Sequence, residues 1–219
     1  MVGLLPNARS LTAVDLARSG WRLSSEEPTA CVGIADGKPF RAAELSGVLC
    51  LMPAVMPSEL AFIEAHSRDY VAQEMTAFLR YFLTSLRCPV VNRPTAGSLC
   101  GPAWRRERWL QVAATVGVPI EPYRRSTRMG QSQGEPTPAS EVRTLTLIGR
   151  EVLEPGFEEL APASRAIARV ARVDLLQLQF AVLPHAPARF MAANPRPVLA
   201  GDRSGSLLSD IFRTDPIAL

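Results

Sequence analysis

Residues 124–140 (RRSTRMGQSQGEPTPAS) contain one large apolar residue, Met129, in a run otherwise rich in Arg, Ser, Thr, Gln, Gly and Pro. Such a run cannot bury a core of its own and reads as a loop or linker. It leaves two blocks patterned for burial, 1–123 and 141–219, and any fold must be assembled from these. The 219 residues are 47% hydrophobic and 21% charged. That suits a compact protein of one domain, or of one domain plus a smaller lobe, large enough to hold a core without disulfide or metal staples. No apolar run approaches the roughly 20 residues needed to cross a bilayer. MVGLLPNARS lacks the charged and then apolar layout of a signal peptide, so the cytoplasm is the expected compartment.

The first block alternates between strand and helix patterns. Val2 to Leu5 is a short apolar run that predicts a strand. Ser10 is placed to cap a helix carrying Leu11, Val14 and Leu16, and Gly20 to end it. Cys31 to Ile34, the turn Asp36-Gly37 and Pro39-Phe40 predict a hairpin. Gly47 to Met52 (GVLCLM) is apolar on both faces, as a buried central strand would be. From Pro57 to Leu86 the apolar residues recur at three- and four-residue intervals, which predicts a long helix with a break near Ser67. Pro89 to Val91 reads as a strand and Trp104 to Val116 as a helix ended by Gly117. In the second block, Val142 to Ile148 alternates as a strand, Gly149 to Glu151 turns, and Val152-Leu153 pairs back. Pro162 to Val173 reads as a helix, Leu175 to Leu183 and Arg189 to Ala192 as two strands, and Ser206 to Phe212 as a closing helix.

Of the 24 lysines and arginines, only Lys38 is a lysine. G+C-rich coding accounts for most of that bias. It still means that a site needing an ammonium must use Lys38 or take one from a partner. The net charge of +3 gives little reason to expect nucleic acid. The run WRRERW (Trp104 to Trp109), with Tyr123, Arg124, Arg125 and Arg128, interleaves rings with guanidinium groups. It reads first as an arginine-rich helix face with a tryptophan packed inward, and functionally as a surface for an acidic peptide. Arg105, Arg124 and Arg125 are its candidate anion contacts. Cys31, Cys50, Cys88 and Cys100 have no CxxC spacing and His66 and His185 are far apart, so neither zinc nor redox chemistry has a motif. There is no GxSxG and no nucleophile–base pair.

A family resemblance enters at VVNRPTAGSLCGPAWRRERWLQVAATVGVPI. A strand ending in Asn92-Arg93-Pro94, then a helix and a Gly-x-Pro strand, resembles the end of the N-terminal domain of ATP-grasp ligases of the ribosomal-protein glutamate ligase and graspetide synthetase type. EVRTLTLIGREVL (Glu141 to Leu153) is similar to a later strand pair of that family, whose substrate- or phosphate-contacting arginine falls at Arg143. SRAIARVAR and LLQLQFAVLPHAPARFMAANPRPVL resemble its last helix and its metal-binding strands. The resemblance implies an α/β (α+β) fold. A Rossmann-like pre-ATP-grasp domain over 1–123 and the linker 124–140 would precede a reduced, mostly antiparallel ATP-grasp-like lobe over 141–219.

The departures from the family pattern carry the functional expectation. The interval that would hold the nucleotide phosphates with lysines is replaced by the polar linker, which has none. Magnesium bridging phosphates needs oxygen donors with negative charge. The family's glutamate position falls at Ala192 and its aspartate position at Gln179, leaving Asn194 as a vestigial ligand. The resemblance therefore implies no cofactor, no metal and no catalytic residue. It implies a truncated pseudoenzyme that binds a peptide or partner protein, such as a larger modifying enzyme, in a biosynthetic or modification pathway. Arg93, Arg143 and Asn194 are the ligand-binding candidates it supplies. Two alternatives stand beside this: a half-site completed in trans by a full-length subunit or homodimer partner, and a cofactor-free enzyme of another class. Loss of the central subdomain would expose surface, which favours a dimer.

Overall fold

The computed structural model describes Leu5, residues 7–123 and residues 141–213. The expected first strand falls, apart from Leu5, outside these residues, and so does the linker 124–140. The described chain forms two compact units. One comprises the described residues of Met1–Ala103 and Val198–Leu219, and the other is Trp104–Pro197. These bounds cut the chain at different points from the sequence blocks. The helix after the Asn-Arg-Pro segment groups with the later strands, and the final helix groups with the N-terminal residues.

In the first unit, α1 (Ala13–Leu16) is a single turn capped by Thr12 rather than Ser10. The reason is Asp15, three residues on. Its Oδ2 accepts from the Thr12 N–H at 3.1 Å and the Thr12 hydroxyl at 2.9 Å, closing a reciprocal capping box. The Ser10 N–H donates instead to Asp36 at 3.0 Å. Asp15 also accepts from the Gly37 N–H at 2.9 Å, which ties the helix to the turn between β1 (Val32–Ala35) and β2 (Lys38–Arg41). That turn is Asp36-Gly37 with φ of 51° and 69°, the double left-handed geometry an Asp-Gly hairpin prefers.

The expected six-residue central strand is much shorter. Only β3 (Val48–Leu49) enters a ladder, pairing in parallel with β4 (Val90–Val91). Pro89, immediately before β4, has no N–H with which to lengthen the ladder on that side, and Pro53 and Pro94 follow within a few residues on the other. The expected long helix is likewise reduced to α2 (Arg68–Ser85), with Ser67 at its N-cap. The preceding residues form 3₁₀ turns at Pro57–Glu59 and Ala65–Ser67. Arg68 reaches back to the carbonyls of Ile63 (2.8 Å) and Ala61 (3.2 Å) and holds that segment in place. The core joins Trp21, Phe40, Leu60, Leu79, Phe82 and Leu83, with Trp21 edge-on to Phe78 and Phe82 at 5.2 and 5.6 Å. The last helix of the chain, α5 (Asp202–Arg213), starts four residues before the expected helix. Its Phe212 ring lies where a Cβ on Gly47 would be.

In the second unit, α3 (Arg106–Thr115) and α4 (Ala161–Ala171) cover one face of a four-stranded antiparallel sheet. The strands are β5 (Glu141–Ile148), β6 (Glu151–Val152), β7 (Leu175–Leu183) and β8 (Ala186–Asn194), in the order β6-β5-β7-β8. Leu145, Leu147, Leu176, Leu178, Phe180 and Phe190 meet Trp109, Leu110, Ile167 and Ala168 in its core. Arg106 fastens α3 to β8 by donating from Nε to the Met191 carbonyl at 3.1 Å. Gly117, at φ 76°, ends the helix that the sequence placed here. Among the described residues, no helix is long and apolar enough to cross a membrane.

Two measurements test this packing. Gly47→Ala is expected to cost about 1–3 kcal/mol through overpacking against Phe212. Gly97→Ala, whose added methyl meets only ordinary contact, is expected to leave the thermal midpoint unchanged. For Asp15, burial alone would raise the carboxyl value, but hydrogen bonds from Gly37 and Thr12 and the Arg18 charge outweigh it and hold it low. Its contribution is therefore complete above the ordinary value of 3.8 and disappears as pH falls through the lower folded value. Asp15→Asn is expected to cost about 2 kcal/mol at neutral pH. In denaturant titrations the gap from the unsubstituted chain should close as the solution is acidified.

Candidate functional site on the polar face of the sheet

The register of the sheet decides which side chains can act together. Leu176, Leu178 and Phe180 are buried in the core, so the alternation of a strand turns Gln177 and Gln179 to the opposite face. Thr144 and Thr146 of β5, opposite these glutamines, turn the same way. The pairing builds two rows across three strands, Thr144–Gln179–Ala192 and Thr146–Gln177–Asn194. Adjacent strands are about 4.8 Å apart, so each row spans about 10 Å. Gln179 and Asn194 are exposed, Thr144, Gln177 and Ala192 half-buried, and Thr146 buried. Further along β8, Arg189 has its guanidinium 3.9 Å from the buried Glu121 carboxylate. The rows themselves hold hydroxyls and amides and no formal charge. That composition suits hydrogen bonding to another amide-bearing chain and includes no carboxylate, imidazole, amine or thiol.

Of the sequence candidates, Asn194 alone lies on these rows. Its Oδ1 accepts from the Arg196 N–H at 3.0 Å and its Nδ2 donates to the Arg196 carbonyl at 3.1 Å, closing the end of β8. Arg143 lies opposite Phe180, on the core side of the sheet. It pairs with Glu159 at 3.1 Å and Glu141 at 3.3 Å and sits over the Phe157 ring at 5.5 Å. An incoming anion would have to displace both carboxylates. Arg105 is exposed at the N-cap of α3. Trp109 of the same run packs inward at 2% exposure, Arg106 stacks on Tyr123 at 5.0 Å, and Arg108 bonds Gln111 at 2.8 Å. Arg93 belongs to the other unit, exposed after β4, with Nη2 3.4 Å from the Cys88 carbonyl. Arg124 and Arg125 lie outside the described residues. Thr144, Thr146 and Gln177 were not singled out from the sequence, although the alternation in TLTLI and LLQLQF marks them.

By sequence, the chain matches no protein-family model and no curated protein. Its architecture does match solved structures. The macrocyclase MdnC of Microcystis aeruginosa MRC, bound with precursor peptide MdnA, superposes with a TM-score of 0.67 at 11% identity, over 91% of this chain and 89% of that one. The ATP-grasp ligase PsnB, complexed with minimal precursor, Mg and ADP, gives 0.61 at 10% identity over 97% and 88%. A RiPP-associated ATP-grasp ligase of Chryseobacterium gregarium, complexed with ADP and a leader and core peptide, gives 0.56 at 11% over 83% and 80%. The fold is ATP-grasp-like. At these identities the likeness concerns architecture, so the chemistry must be argued from the side chains present.

Those side chains do not fit a magnesium ion. At the positions aligned above with the family's carboxylates, the middle of the first row offers a neutral amide, Gln179, and its end a methyl group, Ala192. Asn194 holds its own backbone turn. Among the described residues, no three His, Cys, Asp or Glu side chains converge as a metal site. Lys38, the one lysine, is exposed on β2 in the other unit.

The register makes this fit testable by gain of function. Gln179 and Ala192 are direct cross-strand partners, so Gln179→Asp with Ala192→Glu sets two carboxylates at a spacing of about 5 Å. The double variant is expected to bind Mn2+ saturably in calorimetry, while the unsubstituted chain shows no saturable heat. Absence of binding by the double variant would remove these positions as the metal-facing pair.

Proposed function

We propose that this chain is a non-catalytic ATP-grasp-like protein that binds a peptide or partner protein in a peptide-modification pathway. The observation that carries the reading is the donor set of the polar face. It keeps hydrogen-bonding amides and hydroxyls where metal chemistry would need carboxylates. The solved proteins of similar fold include complexes with precursor, leader and core peptides, which supports a peptide as the ligand class. Peptide backbones are themselves rows of amides, matched in kind by Gln177, Gln179 and Thr144. A half-site completed in trans has less support, because Arg143 and Asn194 lie on opposite faces of the sheet and Arg143 is already paired. A homodimer or a larger modifying enzyme is the partner state this reading admits, and sedimentation of the chain with and without such an enzyme distinguishes them.

The decisive experiment is calorimetric titration of the whole chain with ATP and Mg2+, alongside an ATP-hydrolysis assay. Neither saturable heat nor turnover is expected. Saturable binding with turnover by the chain alone would overturn the non-catalytic reading.

A further inference from the structure

An open groove of about 540 Å³ runs along α2, within the unit that contains the N-terminal residues. One wall is the helix stripe Asp69, Ala72, Gln73, Thr76, Ala77 and Arg80, spaced at three- and four-residue intervals on one helix face. The other wall is the loop of Ala54, Val55 and Pro57. Thr76 holds the two walls together, accepting from the Val55 N–H at 3.0 Å and donating to the Ala72 carbonyl at 2.7 Å. Small side chains line the middle of the groove, so a backbone can approach closely. From Asp69 to Arg80 the groove runs about 16 Å along the helix axis, the length of about five residues of extended chain.

The two ends differ in charge, and Arg80 differs from the half-buried Arg68, Arg106 and Arg143. Arg68, Arg106 and Arg143 each satisfy their guanidinium within the fold. Arg80 is half-buried, its Nε is closed off from solvent, and that Nε has no hydrogen-bond partner. Its charge is uncompensated among the described residues. A carboxylate entering the groove would pair that charge and, on rotation of the guanidinium, supply the missing acceptor. Asp69 at the far end, exposed in the first turn of α2, complements a cation. The surrounding segment also exposes Met56, Phe62 and Tyr70 at 50%, 49% and 68%, apolar area of the kind a docked chain covers.

We infer that this groove binds a short extended peptide segment, with an acidic side chain at Arg80 and a basic one toward Asp69. The inference goes beyond the polar face of the sheet and does not rest on it: ATP use by the chain would overturn that reading and leave this one standing.

The test follows backbone amide resonances of the full chain during titration with the end-capped pentapeptide Lys-Ala-Val-Ala-Glu. Saturable shifts are expected at Ala72, Gln73, Thr76, Ala77 and Arg80. Binding should weaken about tenfold or more for Lys-Ala-Val-Ala-Gln, and equally for Arg80→Gln with the first peptide. Ala77→Trp, which fills the groove from an exposed position, should abolish the shifts with the thermal midpoint unchanged. No saturable shift, shifts centred elsewhere, or indifference to both the Gln peptide and Arg80→Gln would overturn the inference. So would sodium acetate or inorganic phosphate matching the peptide's shifts and affinity, since the site would then be a bare anion contact.

Discussion

The pairing of β5 with β7 is the constraint on which the sheet unit depends. Eight successive pairs, from Glu141–Val182 to Ile148–Leu175, hold Leu145 and Leu147 beside Leu178 and Leu176 under α3 and α4. A slip of one residue would exchange the two faces, driving the glutamines into the core and the leucines out. Burying those leucines is worth several times any single polar contact on the sheet, so the apolar pattern selects the register. The polar rows and the inward placement of Arg143 follow from that choice.

Arginine carries much of the internal wiring that other proteins give to mixed residue types. Arg106 bonds a strand carbonyl, Arg68 two loop carbonyls, and Arg165 the Arg150 carbonyl at 2.6 Å. The planar fork of a guanidinium can donate several bonds while its stem packs against apolar neighbours, which an ammonium does less well. The near-absence of lysine therefore constrains the fold as well as the chemistry. Some of the positive charge that looks available in the sequence is committed to structure: in the WRRERW run Arg106 and Arg108 are engaged, while Arg105 stays exposed.

What the sequence disclosed depended on range. Short periodic signals were legible: TLTLI and LLQLQF as strands, Asp36-Gly37 as the hairpin turn, Gly117 as a helix stop. The resemblance placed Gln179, Ala192 and Asn194 together, and the ladder puts the first two directly opposite each other with Asn194 in the adjoining row. GVLCLM predicts a longer strand than the ladder contains, because apolar content does not say how long the partner strand runs, and β4 is only Val90–Val91. The apolar spacing of residues 57–67 predicts helix, but the turns at Pro57–Glu59 and the polar Ala65–Ser67 break it. The pairing of Arg143 with Glu159 is not legible in the sequence, because Glu159 reaches it only once β5 and the segment before α4 are folded together. The α2 stripe was hidden among small residues, which read as helix formers until a loop lies across them.

The return of α5 to the N-terminal residues, with Phe212 set against Gly47, makes one unit from two stretches of chain separated by the whole of the other. During synthesis the sheet unit, continuous from Trp104 to Pro197, can close as soon as it leaves the ribosome. The first unit's core draws on residues from Ala13 to Cys100 and contains no residue of α5, which adds its Phe212 against Gly47 afterwards. α5 is thus a late seal laid over a core assembled from earlier residues, and Gly47 is where that seal is seated.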